Sequence, residues 1–188
     1  MAAPTFTGPA LGLFELESLA RGVVVADALV KQAAVQIAIA EAVTPGKYLL
    51  VFTGPVAEVE ESYRAGEAAG GRVILDRLLL THVAEAVVAA LAGRLDQVGR
   101  EDAVGIVEAH TVAATIKAAD AAVKRAGVRL TQWHVAKGIG GKGWFTLAGS
   151  QHDVEAALDG AAQAIDASLL VGTEIIQRPH VELRGKVL

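Results

Sequence analysis

Val25-Ala26-Asp27-Ala28-Leu29-Val30-Lys31 returns 93 residues later as Ala118-Ala119-Asp120-Ala121-Ala122-Val123-Lys124. The match extends on both sides. Gly12-Leu13-Phe14-Glu15 answers Gly105-Ile106-Val107-Glu108, and Ala33 and Val35 answer Ala126 and Val128. From Gly12 to Val35, ten of 24 aligned positions are identical, where an alanine-rich composition gives roughly two or three by chance. The chain is a tandem duplication, and its fold is the fold of one unit used twice.

The 188 residues allow two units of about 90 residues, each able to bury a small core. The composition is 53% hydrophobic and 20% charged, with a mean hydropathy of +0.43. Such a chain exposes a large apolar area or covers it with further subunits, and the second reading is preferred. A net charge of −4 leaves no basic excess to neutralise phosphates, so nucleic acid is not an expected partner. The absence of cysteine excludes disulfides, thiolate chemistry and cysteine-held metal or iron–sulfur centres. Residues 1–9 lack the basic and apolar regions of a secretory signal and read as a mobile arm. No apolar run is long enough to span a membrane, and the expected location is the cytoplasm.

Taken in order, Ala10 to Glu17 reads as a strand. Ser18 caps a helix from Leu19 to about Ala33, whose apolar positions Leu19, Val23, Ala26 and Val30 follow helical spacing while Asp27 and Lys31 stand four apart on its surface. Val35 to Val43 and Lys47 to Thr53 form a hairpin about Thr44-Pro45-Gly46. Gly54-Pro55 opens a helix, with the proline at its first position, that ends at Gly70-Gly71. Val73 to Leu80 is a strand, Ala84 to Leu95 a helix, and 96–101 a polar linker. The second copy repeats the order: strand Val104 to Ala109, helix from the Thr111 cap to Ala126, strand Val128 to Ala136, turn Gly138-Ile139-Gly140-Gly141, strand Gly143 to Leu147. A helix capped by Ser150 with Asp153 three residues on then leads to the strand Ser168 to Gln177. Each copy is β-α-β-β-α-β, an α+β unit with an antiparallel sheet and its helices on one face. The domains are expected at 10–95 and 102–188.

Individual residues offer little chemistry. The five histidines, His82, His110, His134, His152 and His180, show no metal-ligand spacing. Gly138 to Gly141 joins two strands rather than a strand and a helix, so a turn is preferred over a nucleotide cradle. Trp144 beside Phe145 reads as core. Ser18 and Thr111 are caps rather than nucleophiles, and no Ser/His/Asp set or working carboxylate pair is present. No cofactor and no catalytic role is expected.

Several motifs together resemble the bacterial microcompartment shell-protein family: Ala10-Leu11-Gly12-Leu13-Phe14-Glu15; Ala-Asp-Ala-(Leu/Ala)-Val-Lys in both copies; Gly138-Ile139-Gly140-Gly141-Lys142-Gly143; Asp153-Val154-Glu155-Ala156-Ala157; and Ile176-Gln177-Arg178-Pro179-His180. Two fused copies resemble its tandem-domain class, in the standard and not the permuted order. The resemblance implies a homotrimer shaped like a hexamer, tiling shell facets with single-domain hexamers and vertex pentamers, with a central pore for small metabolites. It implies that Lys31 and Lys124 are edge lysines between discs and Arg178 their partner. The first copy has Leu80-Thr81-His82 where the second has Gln177-Arg178-Pro179-His180, so only the second supplies that arginine. It also implies a pore lined by Val43, Thr44, Pro45 and Gly46 and by Gly138, Ile139, Gly140 and Gly141, with Lys47 and Lys142 adding positive charge that favours anions. The alternative is a ligand-binding regulatory trimer that does not tile.

Overall fold

The computed structural model describes residues 6–100 and 102–183. The start of the N-terminal arm (1–5), linker residue Glu101 and the end of the second domain range (184–188) lie outside the described residues.

Alternation sets the first sheet. In β1 (Ala10–Leu16), Phe14 and Leu16 point to one face while Leu11, Leu13 and Glu15 point to the other, because successive side chains alternate. The first unit continues through α1 (Leu19–Gln32), β2 (Gln36–Val43), β3 (Lys47–Gly54), α2 (Val56–Gly70), a 3-10 turn (Gly71–Val73) and β4 (Ile74–Leu80). Its antiparallel strands lie in the order β2-β3-β1-β4. Phe14, Leu16, Leu50 and Phe52 meet Val25 and Leu29 of α1 and Val59 of α2 in one core. Phe14 stacks on Tyr63 at 4.9 Å between ring centroids. Each such side chain stabilises the unit by roughly 1.5–3 kcal/mol relative to exposure. The Ser62 hydroxyl donates to the Leu29 carbonyl at 2.8 Å, satisfying a buried polar group between the helices.

The second unit holds α3 (Glu85–Leu91), β5 (Ala103–Ala109), α4 (Val112–Arg125), β6 (Arg129–Val135), β7 (Gly143–Gly149), α5 (Gln151–Ala164), β8 (Leu170–Ile176) and a 3-10 turn (Val181–Leu183). Its strand order, β6-β7-β5-β8, repeats the first. The α+β unit is thus present twice, in the standard order. The two compact units meet in sequence at Val83/Ala84, so α3 packs within the second unit, against β6 and α4.

Caps fix most helix ends. Ser18 accepts from the Arg21 amide and Thr111 from the Ala114 amide. Ser150 accepts from the Asp153 amide while its hydroxyl donates to the Asp153 carboxylate, a variant of the capping box. Pro55 serves as the residue before the helix rather than its first member, and α2 begins at Val56. Helix α3 stops at Leu91 instead of reaching Leu95, because Gly93 takes φ +77° and the amides of Gly93 and Arg94 bond back to Ala90 and Ala89. β8 starts at Leu170, since Asp166 and Ser168 form a side-chain-closed turn just before it.

The apolar stripe of α1 is not the one expected from spacing. Gly22, Val25 and Leu29 face the core. Leu19, Val23 and Val30 lie on the opposite side, 43%, 59% and 42% exposed. The helix is apolar on two faces, and helical spacing alone cannot rank them. Trp144 also departs from expectation: it is half-buried and stacked on His134, while Phe145 takes the core position.

Candidate functional site

Each unit ends its central hairpin in an exposed turn. In the first, the Gly46 amide donates to the Val43 carbonyl at 2.8 Å, and Gly46 takes φ +117°. Thr44, Pro45 and Gly46 are exposed, whereas Val43 is buried. The Thr44–Pro45 peptide is cis.

The second turn is wider. The Ala136 amide donates to the Lys142 carbonyl at 2.8 Å and closes its base. Gly138 and Gly140 take φ +75° and +67°, and nothing lies within 4 Å of where their side chains would stand. These glycines are therefore set by backbone handedness and not by crowding. Gly138 and Gly140 are exposed, Ile139 is half-buried and Gly141 is buried. The His134 ring nitrogen Nε2 lies 2.6 Å from the Lys137 carbonyl and braces the entry to the turn.

The lysines that follow the turns are already engaged. Lys47 Nζ lies 3.2 Å from Glu15 Oε2, and Lys142 Nζ bonds Glu108 Oε1. Glu15 and Glu108 recur in sequence, as do the lysines, but only the sheet register brings them together. The expectation that Lys47 and Lys142 add net positive charge is corrected accordingly: each cancels a glutamate. Ile106, Glu108, Ile139, Lys142 and Trp144 line an open depression of about 520 Å³ on the helix-free face of the second sheet.

The edge candidates lie on helix ends and a strand end. Lys31, in the last turn of α1, lies 2.6 Å from Asp27; Lys124, in the last turn of α4, lies 2.6 Å from Asp120. Both suit the negative end of a helix dipole. Arg178 is exposed just after β8.

The asparates differ between copies. Asp27 is 58% exposed and Asp120 is 8% exposed. Asp120 also accepts the Ala84 amide at 2.7 Å, which ties the start of α3 to α4. Nothing in the sequence distinguishes these two residues; their surroundings do.

Among the described residues, no group of three or more His, Asp or Glu side chains gathers as a metal site. Two groups show displaced titration. Burial pushes the Tyr63 hydroxyl up, with Arg77 opposing. The hydroxyl and amide of Ser168 hold the Asp166 carboxyl below its ordinary value.

The BMC-domain family model matches twice, over residues 10–90 and 103–179. The chain is 40% identical over 172 residues to the bacterial microcompartment shell protein PduT of Citrobacter freundii, covering 91% of this chain and 93% of that protein. A crystal structure of a microcompartment protein from Desulfitobacterium hafniense superposes with a TM-score of 0.82 at 35% identity, covering 93% of this chain and 97% of that one. A fused permuted hexameric shell protein shares the fold, with a TM-score of 0.61 at 22% identity over 82% of this chain and 79% of that one. The chain belongs to the BMC-domain family of bacterial microcompartment shell proteins, with two such domains in tandem.

Proposed function

We propose that this protein is a structural component of a microcompartment shell: a homotrimer of six similar units that tiles facets beside single-domain hexamers and vertex pentamers. Small metabolites pass through a central pore lined by Thr44, Pro45, Gly46, Gly138, Ile139 and Gly140, with Val43 and Gly141 supporting the turns from inside. Exposed amides at the glycines suit small polar solutes. Lys31, Lys124 and Arg178 act at the edges between trimers. The chain itself carries no catalysis, and its place is the shell.

One observation supports the trimer above the rest. The stripe Leu19, Val23, Ala26 and Val30 has its repeat in Val112, Ile116, Ala119 and Val123. Val112, Ile116 and Ala119 are at most 1% exposed, while Leu19 and Val23 stand in solvent. The helix-free sheet faces show the reverse inequality. Ile106, Glu108 and Trp144 border the open depression, and their first-unit counterparts Leu13, Glu15 and Leu49 are buried. Each chain therefore has one exposed apolar helix stripe and one half-open sheet face. Two different exposed surfaces on one chain favour a head-to-tail contact, which forms a ring where its rotation closes.

The test is mass in solution by light scattering, followed by negative-stain images with single-domain shell proteins. A particle of about 58 kDa, three chains of 19.4 kDa, that packs into sheets is the expected result. A monomer that never tiles overturns the reading. The depression beside Glu108 and Lys142 favours a second reading, a ligand-binding trimer; saturable binding of a small molecule by discrete trimers that form no sheets selects it.

A further inference from the structure

Asp27 and Asp120 hold matching positions on α1 and α4 but receive different partners. In the second unit, the residues from Ala84 onward lie on α4. The Ala84 amide donates to Asp120 Oδ1 at 2.7 Å, Lys124 donates to Oδ2 of the same carboxylate, and α3 settles against α4 and β6. Asp120 has two donors on its two oxygens and is buried.

In the first unit, α1 presents the equivalent carboxylate without that visitor. Asp27 accepts from Lys31 and, among the described residues, from no backbone amide. Around it Leu19, Val23, Val24 and Val30 are exposed, where the matched α4 positions Val112 and Ile116 are buried. The site on α1 keeps Ala26, Asp27, Ala28, Val30 and Lys31 in the places of Ala119, Asp120, Ala121, Val123 and Lys124, and its stripe stays apolar at Leu19 and Val23.

The chain carries one more copy of that segment. Register fixes the equivalence: Leu11 pairs with Leu80 in the first sheet and Val104 with Ile176 in the second. Strand β8 thus stands 96 residues after β4, and His180 occupies the position of Ala84. After β8, Pro179 is buried and His180 is exposed. The 3-10 turn Val181–Leu183 is held by its own bond from the Leu183 amide to the His180 carbonyl. Leu183 rests on Val104 and Ala148. Val181 is 70% exposed, the most exposed large apolar side chain among the described residues. The segment is anchored at one end and offers a bare valine at the other.

We infer that the segment His180–Leu183 of one copy docks on the exposed stripe of α1 in the next copy, with a backbone amide at His180 donating to Asp27. The occupant is a second copy of this chain, because the chain already contains both halves of the contact and already makes it once. The contact is heterologous and so propagates around a ring. This inference rests on the trimer reading and adds to it the segment that latches each copy to the next.

A chain without cysteine makes the test clean. Asp27→Cys and His180→Cys are introduced together, with Asp120→Cys and Ala84→Cys as the pair whose contact lies within one chain. Under mild oxidation the first pair is expected to give covalent two- and three-chain species on a non-reducing gel, and the second pair a one-chain species only. A trimer by light scattering that yields only one-chain bands from the first pair overturns the docking and leaves the ring standing. A monomer by light scattering overturns both. As a second readout, Asp27→Ala in the trimer is expected to raise amide hydrogen exchange across 180–183 by roughly tenfold, the loss expected for one hydrogen bond to a charged group. Exchange there equal to that of the unaltered trimer overturns the docking.

Discussion

Lys47 Nζ stands 3.2 Å from Glu15 Oε2, with the glutamate side chain 1% exposed and the lysine 18%. The matching pair, Lys142 with Glu108, is 39% and 36% exposed. One ion pair is built twice, once in a dry setting and once in a wet one. Removing one partner of a buried charge weakens its compensation where water cannot replace it, so Lys47→Ala is expected to cost about 3 kcal/mol. Lys142→Ala is expected to cost less than about 1 kcal/mol. Urea denaturation of both variants checks the difference, and equal costs contradict the assignment.

Val23→Glu places a charge in the exposed stripe of α1 and Ile116→Ala hollows its buried counterpart. The first is expected to fold normally and lower the solution mass from trimer to monomer. The second is expected to destabilise the fold by roughly 2–5 kcal/mol. Light scattering with thermal melting separates the two effects.

Lys31→Ala combined with Lys124→Ala removes both edge lysines without touching the stripe. Sheets seen by negative stain are expected to shrink or vanish while the trimer mass persists. Sheets of unchanged extent remove the edge assignment.

Glycines in the turns and in the core respond differently to alanine. Gly140→Ala meets open space, and its cost is confined to the left-handed backbone at φ +67°, about 1 kcal/mol. Gly12→Ala drives its methyl into the Phe52 ring and is expected to cost roughly 1–3 kcal/mol through overpacking. Solute flux through reconstituted shells is expected to change only with the turn variant.

Asp166 is held below its ordinary value by Ser168. Its folded form therefore binds a proton less readily than its unfolded form. The stabilisation is complete above the unfolded value near 3.8 and is lost as the pH falls through the lower folded value. Ser168→Ala is expected to move the Asp166 titration upward by NMR and to flatten the stability change over that acid range. An unmoved titration contradicts the role given to Ser168.

Much of the fold is legible because repetition doubles each signal. Ser18 and Thr111 are weak caps singly, but both precede helices at matching positions and both bond the expected amides. The glycine turns declare themselves through residue type, since only glycine readily takes the left-handed backbone found at Gly138 and Gly140. Helix limits were less legible. The end of α3 at Leu91 depends on Gly93 adopting positive φ, which spacing does not reveal.

The pairing of Glu15 with Lys47 and of Glu108 with Lys142 joins residues more than 30 positions apart. Both partners recur visibly, yet their contact is a product of strand register. The same holds for Trp144, whose place outside the core follows from which face of β7 the helices cover.

The sequence alone determined the duplication, the order of elements, the two glycine turns and the family, because these are written in residue type and spacing. Tertiary structure decided which stripe of α1 faces inward, which glutamate is dry and which aspartate receives a backbone amide. Two copies of one pattern carry the same local instructions. Only their neighbours in space make one face core and leave the other bare, since burial depends on what a residue meets and not on what it is.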